Sequence, residues 1–438
     1  MLRDPLTMFC YCDLSGQVRG KGFPSWQTEK RLSRGIGWTP NNIMFTALGT
    51  IAPGGWGSHG DVLLMPDAET GVEVDFEDGT PAERFYLCDV QETDGAPWDC
   101  CPRTLLKDAA RDLLEETGLV VKATFEQEFI YSGANGRVAD MYALDAVRRH
   151  GAFGETFLGA LRAAGVEVDS YLAEFAEGQF EVSVPPLDAL KACDTALILR
   201  EMARATAHRM GHGVSFSPRV TPDGLGSGVH IHFSLWTPEG EPVSHDPARE
   251  LGISEVAGQF LAGIARHMAA LCAFTAPSPV SYLRLVPHAW TGVWSNVGFR
   301  DREAGLRVCP TFGADPAAVA RQFNFEYRAA DATANPYLQL AVILRAGLTG
   351  IREGLAAPRP TVEEDPETMS AEERAARNIV RLPDSTEAAM AALDADPTAQ
   401  GFLPPRLLQA YRENKSDEFA LCSGWSPDEL CRRYAEVY

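Results

Sequence analysis

Hydrophobic and polar residues alternate over positions 120–131, and this alternation predicts a β-strand with two unlike faces. Ala123 and Phe125 belong to the apolar face, whereas Glu126 and Glu128 project side by side from the opposite face. Adjacent like charges on a sheet repel each other unless something positive lies between them. The strand therefore indicates a binding site for a divalent cation.

Four further segments show the same alternation, and each places polar side chains opposite apolar ones. The segments are 179–184, 228–235, 305–308 and 323–328. Their polar positions are Glu181, His230, His232, Ser234, Arg307, Asn324, Glu326 and Arg328. Glu174 comes shortly before the first segment, across a predicted tight turn at 177–178. We expect one curved sheet whose apolar face lies on the core and whose polar face lines a cleft.

The residue types on the polar face indicate a particular chemistry. Carboxylates with one histidine favour Mg²⁺ or Mn²⁺ over zinc, and arginines bind phosphate and carboxylate groups bidentately. Each piece alone has a simpler explanation, because Glu-x-Glu is often a solvated sheet edge and His-x-His is often structural. Together on alternating strands they favour metal-dependent phosphoryl transfer.

A change of pattern near residue 100 predicts two domains. Residues 1–100 are rich in Gly, Pro and Trp with short apolar runs, which predicts a small β-rich domain. Over residues 101–438 predicted strands alternate with helices, the first of which begins at Pro102 and ends at Gly118. Further helices are predicted at 186–211, 253–273 and 336–350, with short surface helices over 355–400.

Composition narrows the possible partners. The chain has 438 residues, of which 60 are acidic and 39 basic, for a formal charge of -21. That balance disfavours nucleic acid and anionic membranes as partners. We find no apolar run of membrane-spanning length and no signal-peptide pattern at the N-terminus. The ten cysteines are scattered, so we expect reduced thiols in a cytoplasmic protein.

Seven ordered segments resemble the glutamine synthetase family over almost the whole chain. They are 12–21, 60–67, 125–129, 177–181, 226–232, 281–287 and 335–338. The resemblance implies an α+β protein with an N-terminal β-grasp domain and a larger catalytic domain, in which helices flank a curved antiparallel sheet. It also implies self-association, commonly as a dodecamer of two stacked hexamers, with active sites between neighbouring subunits.

The resemblance further implies a role for each polar residue. One metal ion would be bound by Glu128, Glu174 and Glu181, and a second by Glu126, His230 and Glu326, with two or three ions of Mg²⁺ or Mn²⁺ in each site. The residues implied for ATP are His232, Ser234 and Arg307, and those for glutamate are Gly226, Arg284 and Arg328. Arg302, Arg328 and Asp61 would act in catalysis, with Arg302 near the transferring phosphate.

The family reaction forms γ-glutamyl phosphate from glutamate and ATP, and an amine then attacks this acyl phosphate. Members that use ammonia carry a glutamate three residues after the Arg-Leu-Val-Pro motif, where this chain has Trp290. They also carry an aspartate in the N-terminal domain, but residues 42–58 contain no acid, which leaves Asp61. Ammonium must be held by anions and deprotonated before it attacks. Trp290 therefore favours an organic amine with an apolar substituent.

We expect an ATP-dependent ligase that joins glutamate to a hydrophobic aryl- or alkylamine, with Trp290 and His288 at the amine site. Three alternatives stay open: a glutamine synthetase whose ammonia site uses His288 and Asp61, a γ-glutamylpolyamine synthetase, and a catalytically silent family member. The six metal-ligand positions are all present, which disfavours the silent member.

Other positions depart from the family pattern. Leu225 stands where asparagine is usual beside the glutamate site, and Asn324 stands where an arginine usually assists the nucleotide phosphates. Val380 replaces the tyrosine that some bacterial members modify with AMP, so we expect no regulation of that kind.

Overall fold

The computed structural model of this chain describes residues 2–134, 136–137 and 140–438. Within these residues the strands form two sheets, and the first contains six strands in the order β2-β1-β6-β4-β3, with β5 also paired to β6. These strands are β1 Leu6–Cys12, β2 Val18–Pro24, β3 Ile36–Trp38, β4 Val62–Pro66, β5 Val72–Val74 and β6 Glu83–Glu92. Strands β1 and β6 are parallel, whereas the other pairs are antiparallel.

The second sheet follows the order β13-β14-β15-β12-β7-β9-β8, and β10 and β11 also pair with β7. Its strands are β7 Val120–Tyr131, β8 Ser170–Ala173, β9 Gln179–Ser183, β10 Leu187–Asp188, β11 Val214–Ser215, β12 Val229–Trp236, β13 Val297–Phe299, β14 Leu306–Val308 and β15 Phe325–Tyr327. The predicted antiparallel sheet is confirmed except for one edge, because β13 and β14 run parallel. Buried and half-buried residues alternate without interruption along β7, as its sequence predicted.

Fourteen α-helices lie outside the two sheets in the described chain. They are α1 Thr28–Leu32, α2 Pro102–Thr117, α3 Leu144–Arg149, α4 Gly151–Ala163, α5 Ala189–Arg209, α6 Glu255–Thr275, α7 Ser281–Arg284, α8 Pro316–Gln322, α9 Pro336–Arg352, α10 Ala371–Ala376, α11 Thr386–Asp394, α12 Pro397–Gln400, α13 Pro405–Cys422 and α14 Pro427–Val437. Short 3-10 helices lie at Ser25–Gln27, Pro40–Met44, Ala68–Thr70 and Glu250–Gly252. The four long helices predicted from the sequence are therefore confirmed within a few residues at each end.

The first of these helices shows why its sequence ends where it does. Pro102 begins α2, where its missing N–H is not needed, and Gly118 follows the last turn with a φ of 71°. A left-handed residue after a helix is usually glycine, because glycine has no Cβ to clash there. The next residues enter β7 directly.

The apolar face of the second sheet rests on α5 and α6, and α9 packs against these two helices. The Phe233 ring of β12 lies 5.8 Å from that of Phe260 on α6. Helices α6 and α9 cross closely, because a Cβ on Gly263 would lie 2.1 Å from the Ala346 carbonyl oxygen. Helix α6 is long and apolar enough to cross a membrane, but 72% of its most apolar stretch is buried inside the fold, as in a core helix.

Arg103 at the start of α2 links the first sheet to helix α5. Its buried guanidinium contacts Asp194 of α5 at 2.8 Å, Asp89 of β6 at 3.0 Å and Asp67 at 2.7 Å. A buried arginine with three carboxylate partners has its charge compensated from both sides. The strands of the first sheet end at Glu92, and the division of the chain into domains at residue 100 stays a prediction.

Candidate active site

A row of polar side chains crosses the second sheet on the face opposite the core. The register pairs these residues across neighbouring strands: Arg307 with Glu326, Glu326 with His232, His230 with Glu126, and Glu128 with Glu181. Glu174 comes immediately after β8, next to the end of the row. The row brings together residues that are far apart in the chain, because each strand presents every second side chain to the same face.

Glu126, His230 and Glu326 form what we term the inner cluster. Nδ1 of His230 lies 3.4 Å from Oε2 of Glu126 and 3.5 Å from Oε1 of Glu326. One ligand atom from each residue lies within 4.8 Å of the other two. His232 adjoins this cluster, since its Nε2 lies 3.1 Å from Oε1 of Glu126. The spacing suits a single bound metal ion.

Buried arginines set the protonation of the inner cluster. Arg307 Nη1 donates to Oε2 of Glu326 at 2.8 Å, and Arg328 contacts the other oxygen. Burial by itself would raise the pKa of Glu326, but the positive charge of Arg328 and those of the two histidines lower that pKa to about 2. Burial and the charge of Arg328 lower the pKa of His230 to about 4. His230 is therefore neutral near pH 7, as a metal-binding imidazole must be.

Glu128, Glu174 and Glu181 form what we term the outer cluster. Burial, followed by the charges of Glu126, Glu128 and Glu174, raises the pKa of Glu181 to about 9. Burial also raises the pKa of Glu128 to about 7, although Arg284 opposes the shift. Three crowded carboxyl groups with only oxygen donors match the preference of hard cations such as Mg²⁺ and Mn²⁺. By the type of its donor atoms, the outer cluster therefore fits Mg²⁺ or Mn²⁺.

Neighbouring groups orient the outer cluster. The backbone N–H of Gly228 donates to Oε2 of Glu128 at 2.8 Å, and Gln179 Nε2 lies 3.2 Å from the same oxygen. Tyr142 donates its hydroxyl to Oε1 of Glu174 at 3.2 Å. Sequence reasoning did not select Gln179, although it stands two residues before Glu181 on the same face of β9. The period of two was the signal that could have identified it.

A cavity of about 440 Å³ adjoins the outer cluster. Arg284 and Arg328 line its buried wall, and Arg302 lines its exposed side. Arg284 is buried, and its Nη1 has no hydrogen-bond partner within the described residues. A buried guanidinium with a free donor fits a carboxylate ligand. Gly226 packs closely on this arginine, because a Cβ there would lie 2.7 Å from the arginine Cγ.

Aromatic side chains surround the mouth of the cavity. Trp290 and Phe175 meet edge to face with ring centroids 5.4 Å apart, and Phe175 meets Tyr142 at the same distance. Half of the surface of Trp290 is exposed, and Leu225 is exposed to a similar degree. The mouth therefore offers an apolar surface next to the charged clusters. The sequence had indicated Trp290 and Leu225 at this site, but not the two rings that pack beside Trp290.

The loop that carries Trp290 is held in an unusual conformation. His288 has a φ of 58° and Trp290 has a φ of 56°. This left-handed region costs any residue except glycine about 1–3 kcal/mol. The Glu303 carboxylate accepts the N–H of His288 at 3.1 Å and that of Trp290 at 2.7 Å. Arg328 donates to the Trp290 carbonyl oxygen at 2.6 Å. Sequence patterns gave no signal for Glu303.

The residues predicted for the nucleotide lie at the other end of the row. His232 and Arg307 contact the carboxylates of the inner cluster. Ser234 is buried, and its oxygen accepts the indole N–H of Trp236 at 2.8 Å. Nδ1 of His232 lies 2.9 Å from the Asn324 side-chain oxygen. The roles of these residues in nucleotide binding stay predictions.

Asp61 is set apart from the other predicted residues. It is exposed in front of β4 and is not among the described residues that line the cavity of its own chain. Cys309, which sequence reasoning passed over, lies with its sulfur 3.6 Å from Nδ1 of His232. Within one chain, Asp61 does not join Arg302 and Arg328 at the cavity.

Two carboxylate clusters, buried arginines and an adjoining cavity on one sheet face are typical of a metal-dependent enzyme that transfers phosphoryl groups. Comparison with known families agrees. The glutamine synthetase catalytic domain matches residues 99–432, and the glutamine synthetase N-terminal domain matches residues 3–98. The chain belongs to the glutamine synthetase family and is an ATP-dependent ligase. The family uses glutamate, ATP and divalent metal ions.

Individual relatives cover the whole chain. Gamma-glutamylpolyamine synthetase GlnA3 of Streptomyces coelicolor is 33% identical over 98% of this chain and 93% of its own length. Glutamine synthetase of Halobacterium salinarum is 30% identical over 97% of this chain and 93% of its own. A crystal structure described as a novel glutamine synthase homolog aligns with a TM-score of 0.92 at 37% identity, covering 100% and 99% of the two chains. A GmaS/ADP complex aligns with a TM-score of 0.81 at 26% identity, covering 97% and 95%.

Proposed function

We propose that this protein joins the γ-carboxyl group of glutamate to an organic amine with an apolar aryl or alkyl group. The observation that carries the proposal is Trp290. It stands where ammonia-using relatives have a glutamate, and it packs on Phe175 at the cavity mouth with half of its surface exposed. Covering an exposed indole with an apolar group removes both from water and stabilises the complex, whereas ammonium has no such group.

The polar residues of the site divide among glutamate, the transferring phosphate, the metal ions and ATP. Arg284, Arg328 and the Gly226 backbone would hold the glutamate, and Arg302 and Arg328 would neutralise the transferring phosphate. The outer and inner clusters would bind two or three Mg²⁺ or Mn²⁺ ions, which supply positive charge near the phosphate oxygens. His232, Ser234 and Arg307 would hold ATP beside the inner cluster.

The reaction we propose has two steps. A glutamate γ-carboxylate oxygen attacks the terminal phosphorus of ATP, and the bond to ADP breaks. The amine nitrogen then attacks the carbonyl carbon of γ-glutamyl phosphate, the bond from that carbon to the phosphate oxygen breaks, and the nitrogen loses one proton as phosphate leaves. An arylamine is neutral near pH 7, whereas an alkylamine must first lose a proton, for which His288 or Asp61 is the candidate acceptor.

A polyamine is the second candidate substrate, because the polyamine synthetase of Streptomyces coelicolor covers nearly the full chain at 33% identity. A polyamine carries distal ammonium groups, which need further acids beyond the metal ligands. Among the described residues that line the cavity the carboxylates are Glu126, Glu128, Glu174 and Glu181, which are all predicted metal ligands. This arrangement favours a monoamine.

A panel of amines separates the candidates. Phosphate release is measured with glutamate, ATP and Mg²⁺ or Mn²⁺ in the presence of ammonium, an alkylamine, an arylamine or a polyamine. We expect the highest kcat/KM with an apolar monoamine. Ammonium that performs as well as any organic amine would overturn the proposal, a polyamine as the best substrate would favour the second candidate, and ATP turnover with none of them would indicate a silent family member.

We also propose that the chain forms a dodecamer of two stacked hexamers in the cytoplasm, from a β-grasp domain at 1–100 and a catalytic domain at 101–438. Support comes from the family membership and from the position of Asp61, which lies away from the cavity of its own chain. Light scattering after size-exclusion chromatography measures the mass. A monomer that is fully active would contradict the shared site.

A further inference from the structure

Glu303 lies on a short turn that carries two different functions. Asp301 Oδ1 accepts the backbone N–H of Glu303 at 2.9 Å, which closes the turn around Arg302. The guanidinium carbon of Arg302 lies 5.9 Å from the ring centroid of Trp290. The same turn therefore presents Arg302 to the cavity and the Glu303 carboxylate to the backbone of the Trp290 loop.

Each oxygen of Glu303 accepts one amide from the loop. Oε2 accepts the N–H of His288 at 3.1 Å, and Oε1 accepts that of Trp290 at 2.7 Å. Both amides belong to residues with a left-handed φ. Hydrogen bonds to a carboxylate are stronger than bonds between neutral groups, so Glu303 compensates for the backbone conformation that the loop adopts.

The loop conformation also decides where the Trp290 backbone and side chain lie. Its carbonyl oxygen accepts from Arg328, and its indole packs on Phe175. A loop that relaxed away from the left-handed conformation would move the indole from the mouth and release the donor of Arg328. Glu303 itself is not among the described residues that line the cavity.

We propose that Glu303 is a positioning residue that determines amine specificity by fixing the Trp290 loop. It acts through the loop and touches no substrate. The kinetic part of this inference rests on the proposed amine ligase activity, whereas the structural part holds for any substrate. A direct acid–base role of Glu303 toward the amine would instead alter the pH dependence of kcat.

The first test measures amide hydrogen exchange in the peptide that contains residues 286–292, for the wild-type protein and for Glu303→Gln. The amide side chain keeps the size of glutamate but offers only one acceptor oxygen and no charge. We expect exchange at His288 and Trp290 to become at least about tenfold faster, because a bond to a charged group is lost. The matched control is Glu239→Gln, an exposed site far along the chain, which should leave this peptide unchanged.

The second test measures steady-state kinetics of the same two variants. For Glu303→Gln we expect the KM of an apolar amine to rise by about tenfold, while the KM values of glutamate and ATP stay within about twofold. The preference for the apolar amine over ammonium should fall by the same factor. The pH dependence of kcat should not change, because a positioning residue transfers no proton.

The outcomes are distinguishable from failure of the proposed function. Unchanged hydrogen exchange overturns the inference, even if the enzyme uses only ammonium. Faster exchange with unchanged amine KM and unchanged preference also overturns it. A lower kcat with an altered pH profile would assign Glu303 a direct acid–base role and overturn positioning. If Glu303→Gln disturbed folding in general, its Tm would be lower than that of Glu239→Gln. In that case Glu303→Asp, which keeps the charge, should retain the fold and show an intermediate exchange rate.

Discussion

Replacing Trp290 with alanine tests the apolar wall of the amine site. The side chain of Trp290 is 50% exposed at the cavity mouth. Because a tryptophan side chain presents roughly 200 Å² or more, about 100 Å² of it is exposed and open to a substrate group. Covering that surface with a substrate group, at about 25 cal/mol per Å², is worth roughly 2.5 kcal/mol, or about 60-fold in affinity.

We expect Trp290→Ala to raise the KM of an apolar amine by between about 10-fold and 60-fold, where the lower figure corresponds to about half of that exposed surface being covered. The KM values of glutamate and ATP should stay nearly constant, because Arg284 and the nucleotide residues lie elsewhere on the row. Phosphate release under varied amine concentration measures the change.

The control is Trp26→Ala, which removes a tryptophan of the N-terminal region that is 75% exposed and is not among the described residues that line the cavity. It should leave every kinetic parameter unchanged. An equal loss of activity by Trp290→Ala for all amines, ammonium included, would refute the wall. So would an unchanged KM for the apolar amine.

Three further predictions follow from the same structure. Trp290→Glu should shift preference toward ammonium in the same assay, and no shift would show that Trp290 does not shape the amine site. Burial raises the pKa of Glu181 to about 9 and that of Glu128 to about 7. In the folded protein these two carboxyl groups therefore keep protons that they lose near the ordinary glutamate pKa when the chain is unfolded. They destabilise the metal-free protein increasingly from about pH 5 to pH 9, and metal binding must expel their protons. Mg²⁺ affinity should therefore rise with pH over about 6–9 with proton release, which calorimetry in two buffers measures; binding without proton release would contradict this. Arg103→Ala should lower the free energy of unfolding by about 3–5 kcal/mol in denaturant titrations, because three carboxylates lose their partner, whereas exposed Arg111→Ala should change it by less than about 0.5 kcal/mol.

Much of the fold could be predicted because its signals are local. The alternation along β7 and the proline and glycine at the two ends of α2 depend on neighbouring residues alone. The parallel pairing of β13 with β14 could not be predicted, because three-residue strands carry no pattern that distinguishes the two directions. Family resemblance, and not periodicity, supplied the oligomer and the individual residue roles.

The candidate site divides in the same way. Glu126 and Glu128 were visible as neighbours on one strand face, and Gln179 was visible by the same rule but was not selected. No sequence pattern identified Glu303, because its partners stand 13 and 15 positions earlier in an irregular loop. Irregular loops lack a repeating direction for side chains, so sequence spacing does not predict which groups meet there.

The sequence by itself determined which residues face the cleft, since a strand turns every second side chain to the same side whatever its partners are. Only the tertiary structure decided which of those residues meet, because strand register pairs positions about one hundred residues apart. It also decided their charge states. Burial would raise the pKa of both Glu326 and Glu181, but the charges of Arg328 and the two histidines outweigh it and lower the pKa of Glu326 to about 2. At Glu181 the neighbouring carboxylates add to burial and raise the pKa to about 9, so two glutamates of one chemical type differ through their surroundings.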